Sequence, residues 1–192
     1  MLPDPVYAVT LNCHPETPTD AVRSIAARVG REPGGKLAVT YILEGDIDRL
    51  RVPAPRAPGI AGERQLWQHT CCEVFIARKG MPAYYEFNLS PSGEWAAQAF
   101  DRYRSPRTGE SRTGELDPQV VVRGVASKLE LDAVIRLDRL PEFQGVPLTL
   151  ALSAVVEDRA GALSYWALRH PSGKPDFHHS ESFALELGGA GG

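Results

Sequence analysis

The chain has 192 residues, a formal net charge of −3 and a charged fraction of 23%, which suit one globular domain. Lys and Arg form no block, so the composition argues against a nucleic-acid partner, whose phosphates need clustered positive charge. The sequence contains no membrane-spanning run of about 18 apolar residues and begins without the basic and apolar regions of a secretory signal. We therefore expect a cytoplasmic protein with no membrane or nucleic-acid partner. The oligomeric state stays unknown.

The N-terminal part alternates between short periodic runs and loops. Residues 6–11 alternate weakly and predict an edge strand, and residues 37–44 are rich in β-branched and aromatic side chains and predict another strand. Residues 20–29 leave two alternatives open. Their apolar spacing with Gly30 behind it is typical of a helix, and a short strand fits equally well. Residues 53–62 hold three prolines and two glycines and predict a surface loop.

The stretch from Leu66 to Trp95 predicts the central hairpin of the fold. Two runs with a two-residue period are separated by a segment that contains Gly80 and Pro82. One face of the hairpin is apolar and belongs to the core: Cys72, Val74, Ile76, Tyr85, Phe87 and Leu89. The other face carries polar groups and aromatics: Trp67, His69, Cys71, Glu73, Phe75, Tyr84, Glu86 and Asn88.

The C-terminal half continues the same pattern. Residues 104–118 and 171–179 predict loops, residues 158–161 predict a hairpin turn, and strands are expected at 120–125, 127–137, 146–156, 162–170 and 182–187. So many short strands with at most one or two short helices predict an all-β fold, an antiparallel β-sandwich. We expect a single domain over residues 1–188, followed by a frayed tail at 189–192.

Few patterns point to catalysis. The sequence lacks the usual hydrolase, metalloprotease and nucleotide-binding motifs. Glu73 and Glu86 fall on one hairpin face and could act as general acid and base on a glycoside, although bonding to a ligand or an arginine is favoured. Cys71 and His69 have poor geometry for nucleophile and base. We therefore do not expect an enzyme.

Metal binding is a weak alternative. The C-terminal cluster His170, Asp176, His178 and His179 has the donor types of a zinc or iron site, but adjacent histidines on a strand face opposite ways. A calcium ion could bind at the loop of residues 44–46, but the sequence there has no run of oxygen ligands with the spacing of a calcium site. The three cysteines, two of them adjacent, predict neither a disulfide nor a zinc site.

Two tryptophans suggest a stacking site. Trp67 precedes the polar face of the hairpin, and Trp166 lies in the run ALSYWALRH. An indole ring that holds the apolar face of a sugar, with carboxylate and amide groups on the hydroxyls, is typical of carbohydrate binding. The alternative for each tryptophan alone is packing in the core.

Several long strings resemble a known family. LWQHTCCEVFI, YYEFNLSPSGEWAAQAFDRYR and SYWALRHPSGKPDFHHSESFAL, together with LNCHPETP and GDIDRLRVP, are similar to bacterial DOMON-like proteins, which are related to family 9 carbohydrate-binding modules. The resemblance spans nearly the whole chain. It implies a β-sandwich of jelly-roll or immunoglobulin-like type that binds a ligand without catalysis, either a sugar or, in the wider group, haem.

The resemblance also assigns residues. Trp67 and Trp166 match the two tryptophans that enclose a terminal sugar in family 9 modules, and Glu73 matches a hydroxyl acceptor. Arg102 or Arg104 is similar to a polar partner. With Glu86 and Asn88 from the hairpin, these residues form the predicted carbohydrate site. A haem-binding alternative would draw its axial ligands from His69, Met81, His170, His178 and His179. A scaffold whose concave face binds another protein also stays open.

Overall fold

The structure, a computed structural model, describes residues 5–54, 65–108 and 116–189. Within these ranges the chain forms β-strands and one-turn 3-10 segments, and no α-helix. The strands are β1 Tyr7–Cys13, β2 Val22–Glu32, β3 Lys36–Gly45, β4 Cys71–Arg78, β5 Tyr84–Leu89, β6 Trp95–Arg102, β7 Ser105–Pro106, β8 Gln119–Val125, β9 Lys128–Ile135, β10 Leu148–Glu157, β11 Leu163–Ala167 and β12 Leu185–Leu187.

The strands form two antiparallel layers joined by β1. The first layer has the order β1-β2-β3-β9-β8, and the second has the order β7-β6-β5-β4-β10-β11-β1, with β12 paired to β10. Residues 7–11 of β1 pair with β2, whereas Asn12 and Cys13 pair with β11. One core cluster contains inward side chains of both layers, so the layers pack face to face as a β-sandwich.

The predicted hairpin is confirmed as β4 and β5, at the centre of the second layer. Val74, Ile76, Phe87 and Leu89 are fully buried in the core between the layers, as the two-residue period predicts. The Tyr41 hydroxyl of β3 crosses this core and donates a hydrogen bond of 2.6 Å to the backbone carbonyl of Glu73. Because that bond is buried, it fixes β4 relative to the first layer at the position from which the Glu73 side chain points outward.

A second apolar cluster covers the outer face of the second layer. Its members come from β4, β5, β6, β10 and β11 and from the covering segment, residues 171–184, which contributes Phe177 and packs Phe183 against the cluster. His14 anchors this segment: its Nδ1 accepts from the backbone N–H of Glu16, so its Nε2 donates to the carbonyl of Gly173 at 2.9 Å. The second layer is thus covered on both faces, and the space left under the covering segment is where the site forms.

The structure corrects several predicted elements. Residues 20–29 belong to strand β2, so the helix alternative is wrong; hydrogen bonds to β1 and β3 outweigh the local apolar spacing. The predicted edge strand is confirmed over residues 7–11, which pair with β2 alone among the described strands, whereas Asn12 and Cys13 at the end of β1 pair with β11. Residues 55–62 of one predicted loop and 109–115 of another lie outside the described residues. The turn at 158–161 is confirmed. No helix in the described ranges is long and apolar enough to span a membrane.

Candidate functional site

An open cavity of about 630 Å³ lies on the outer face of the second layer. Its floor consists of outward side chains of β4, β5, β6, β10 and β11, and its walls come from the 3-10 turn Leu66–Gln68, the turn after β6 and the covering segment. This volume falls in the range of about 300–1,000 Å³ that is usual for small-molecule sites. The lining includes five of the predicted site residues: Trp67, Glu73, Glu86, Asn88 and Arg104.

Glu73 stands at the centre of the cavity floor. It faces Asn88 on β5 and Ser153 on β10 as its direct cross-strand neighbours, and only 3% of it is exposed. Within the described ranges, no hydrogen bond reaches its carboxyl oxygens. Burial raises the pKa of Glu73 well above its usual value, and the neighbouring Glu86 charge raises it further. A carboxyl buried in this way needs a hydrogen-bond partner, which the cavity leaves to an incoming molecule.

Glu86 forms the second acidic position of the floor. It lies opposite Phe75, two register positions from the Glu73–Asn88 pair, and accepts a 2.7 Å hydrogen bond from the Asn88 amide. Burial raises the pKa of Glu86, and the Asn88 bond opposes part of that shift. Asn88 therefore holds one carboxyl in place, while its amide oxygen accepts from Cys71 Sγ at 3.7 Å.

His178 borders Glu86 without forming an ion pair with it. The Tyr84 oxygen accepts from the backbone N–H of Arg104 at 3.1 Å, and its hydroxyl donates to Nδ1 of His178 at 2.8 Å. Burial lowers the pKa of His178 to about 4, with the Arg104 charge as a second cause, so the ring is neutral at neutral pH. Its Nε2 lies 3.7 Å from Glu86 Oε2, which is too long for a hydrogen bond.

Arg104 occupies the rim, but its charge is already engaged. Its guanidinium donates to Asp176 Oδ1 at 2.8 Å, and Asp176 also accepts from the Tyr103 hydroxyl at 2.6 Å. Asp176 belongs to the covering segment, so this pair ties that segment to the turn after β6. Arg102, the alternative partner, is exposed and does not line the cavity.

Trp67 is placed at the cavity wall as predicted, although not on a strand. It belongs to the 3-10 turn Leu66–Gln68, where Leu66 is buried and Trp67 remains 45% exposed. The buried leucine anchors the turn, and the indole ring next to it projects beside the cavity. An apolar ring this exposed is expected where a ligand will cover it.

The expectation that Trp166 shares this cavity is wrong. Trp166 is 5% exposed, packs in the core between the layers and donates from its indole nitrogen to Ser164 Oγ at 3.1 Å. Strand alternation places its neighbour Tyr165 on the outer face instead, where Tyr165 lines the cavity with Phe177 of the covering segment. The alternation in ALSYWALRH is the sequence signal that could have identified Tyr165. No local pattern shows that Phe177 folds back over the sheet.

The histidines proposed as metal or haem ligands do not converge. His69 Nδ1 pairs with Glu157 at 2.7 Å, His170 bonds the Asn12 carbonyl, and His179 caps the turn that follows it. Only His178 of the predicted set lines the cavity, and Met81 is exposed in the turn after β4. In the described part of the chain, no three metal-binding side chains cluster, and all three cysteines are free. None of these contacts tests haem binding, which stays a prediction.

The buried carboxyl of Glu73 carries a cost that a substitution should reveal. We expect Glu73→Gln to raise the free energy of unfolding at pH 7 by about 1 kcal/mol or more, because it removes an uncompensated buried acid. Because the pKa of Glu73 is higher in the folded than in the unfolded state, the unfolded state loses this proton at lower pH. The contribution of Glu73 to stability therefore falls as pH rises above the usual carboxyl range. The gain should therefore shrink towards pH 4. Urea unfolding at both pH values measures it, with the exposed Glu44→Gln as control.

The fold is similar to that of solved carbohydrate-binding proteins. A proposed carbohydrate-binding protein from Bacteroides uniformis matches with a TM-score of 0.63 and 15% identity, over 95% of this chain and 84% of that one. A family 9 carbohydrate-binding module from Caldicellulosiruptor kristjanssonii matches in complex with glucose (TM-score 0.54, 11% identity, 90% and 78% covered) and with cellotriose (0.51, 13%, 95% and 84%). The chain therefore has the β-sandwich fold of these proteins.

Comparison of the sequence, in contrast to comparison of the fold, gives no match. No protein-family model matches the chain, and no curated protein matches it. At the identities given above, the structural likeness establishes the fold alone.

Proposed function

We propose that this protein binds a carbohydrate, without catalysis, in the cavity on the outer face of its second layer. The observation that carries the proposal is the exposed indole ring of Trp67 beside the buried polar floor of Glu73, Glu86 and Asn88. A sugar ring has an apolar face and a rim of hydroxyls, and this cavity offers a partner for each. The structural neighbours named as carbohydrate-binding proteins support the proposal.

The binding mode follows from the position of each group. Trp67 would stack on one face of the sugar ring, and Tyr165 and Phe177 would close the cavity as apolar walls. The carboxyl and amide groups of the floor would take the hydroxyls in paired hydrogen bonds. Because the covering segment is tied by the Arg104–Asp176 pair, most of these groups are in place before the ligand arrives.

Calorimetric titration with a sugar panel tests the proposal. Glucose, cellobiose and cellotriose are the first ligands to use, because glucose and cellotriose are bound in the structural neighbours. We expect saturable binding with a negative heat-capacity change from the covered indole ring. A complete lack of binding to every mono- and oligosaccharide tried would overturn the proposal.

Glycoside cleavage by Glu73 and Glu86 is the second candidate, because both carboxyls reach one cavity. Hydrolysis needs two carboxyl groups that flank the scissile bond, whereas these two stand on adjacent strands of one sheet face. A sugar on this floor would meet both from the same side, which favours binding. Release of nitrophenol from aryl glycosides, lost in Glu73→Gln, would establish the enzyme instead.

A further inference from the structure

The cavity floor brings two acidic side chains together without a free cation among the described lining residues to pair with them. Glu73 and Glu86 both line it, and Arg104 is the one cationic side chain among the described lining residues. That guanidinium already bonds Asp176, which adds a further carboxylate at the rim. His178, the remaining titratable group against Glu86, uses Nδ1 as an acceptor from Tyr84 and is neutral.

Two neighbouring polar side chains, Glu73 of the floor and Ser153 beside it, also have no hydrogen-bond partner among the described residues. Glu73 is 3% exposed, and no described residue donates to its carboxyl oxygens. Its cross-strand neighbour Ser153, equally buried, has a hydroxyl without a hydrogen-bond partner in the described ranges. A buried acid that faces an open cavity without a donor is costly unless a bound molecule supplies one. The requirement is for a donor group at the centre of the floor.

The paired acids and the missing hydrogen-bond partners both indicate a ligand with a cationic donor group. A sugar hydroxyl would supply one neutral hydrogen bond to Glu73 and no positive charge to favour the ionised form of the two acids. An ammonium group would supply three donors and one positive charge, and hydrogen bonds between charged groups are roughly twice as strong as neutral ones. The aromatic wall of Trp67 and Tyr165 also favours a cation.

We propose that the ligand is an amino sugar whose ammonium group lies against Glu73, with Glu86 as the second carboxylate. This inference rests on the proposed carbohydrate function and names the class of sugar. Trp67 provides the ring stacking that any sugar would need, and the two acids provide the selection for the charged one. The neutral N-acetylated form of the same sugar, which has lost the cation and gained bulk, should bind poorly.

Calorimetric titration with three sugars tests the preference for an amino sugar separately from carbohydrate binding itself. The full chain is titrated with D-glucosamine, glucose and N-acetylglucosamine at about pH 6.5, where a free amine carries its proton. We expect glucosamine to bind at least about tenfold more tightly than glucose. Glu73→Gln should reduce this preference to about twofold or less while glucose still binds, and Glu86→Gln should weaken it. Glu44→Gln, on the other layer, should keep it intact.

Each outcome bears on a different step. Equal binding of glucosamine and glucose, or a preference that survives in both Glu73→Gln and Glu86→Gln, would overturn the amino-sugar inference and leave carbohydrate binding in place. Failure of all three sugars to bind would overturn the amino-sugar inference, and failure of cellobiose and cellotriose as well would remove the carbohydrate function itself. Ethanolamine serves as the amine without a ring. If it bound as tightly as glucosamine, the cavity would recognise the amine alone and the amino-sugar inference would be wrong; if glucose also failed to bind, carbohydrate binding would be wrong as well.

Discussion

Trp166→Ala is expected to cost about 3–5 kcal/mol of the free energy of unfolding, the usual loss for removing a fully packed tryptophan. Trp166 faces the interior between the two layers, and its ring lies at the point where β11 pairs with both β1 and β10. Its removal leaves a cavity there and takes away the indole N–H that Ser164 Oγ accepts. Thermal unfolding should show a fall in Tm of about 10 °C.

The same experiment tests the corrected role of Trp166. Trp166→Phe keeps much of the volume and should lose less stability, which covers the case in which the alanine variant does not fold. The folded phenylalanine variant should bind sugar with wild-type affinity, because Trp166 does not line the cavity. A stable variant with abolished binding would contradict the core assignment.

Trp67→Ala is expected to give the opposite result. We predict a loss of sugar affinity of about 30-fold, or about 2 kcal/mol, from the lost stacking and the lost apolar contact. Stability should change by no more than about 0.5 kcal/mol, because the ring is 45% exposed and its turn is held by Leu66. Calorimetric titration and urea unfolding of the same preparation measure the two quantities.

Met81 provides a matched control for Trp67. Its side chain is 52% exposed, lies in the turn between β4 and β5, and is outside the cavity. Met81→Ala should therefore change neither affinity nor stability appreciably. If Trp67→Ala bound sugar as well as Met81→Ala does, the stacking role of Trp67 would be wrong.

Much of the fold could be predicted from strand alternation. The two-residue period of β4 and β5 assigned Val74 and Phe87 to the core and Glu73 and Asn88 to the outer face, and each assignment is confirmed. Side-chain period is a property of the strand itself, so it survives whatever the strand packs against. The acidic part of the cavity floor followed from the same rule.

Other features depend on long-range packing that no local pattern records. The spacing in 20–29 fits helix and strand alike, and only pairing with β1 and β3 decides it. Nothing in residues 171–184 shows that this segment covers a sheet face, because its contacts are with strands distant in sequence. That segment supplies Pro175, Phe177 and His178, so this part of the cavity wall was beyond sequence reasoning.

The error over Trp166 has a different origin. Strand alternation places Tyr165 and Trp166 on opposite faces but does not say which face is the core. The resemblance to family 9 modules favoured Trp166 as the exposed residue, and the structure places Tyr165 there. Identity of residue type at a matching position was therefore a weaker guide than burial.

The most direct measurement follows the three indole N–H signals of the protein by NMR during a sugar titration. If a sugar occupies the proposed cavity, the Trp67 signal should shift and saturate, while the signals of buried Trp95 and Trp166 stay nearly constant. If the Trp67 signal does not shift with any neutral or amino sugar at millimolar concentration, the cavity does not bind carbohydrate.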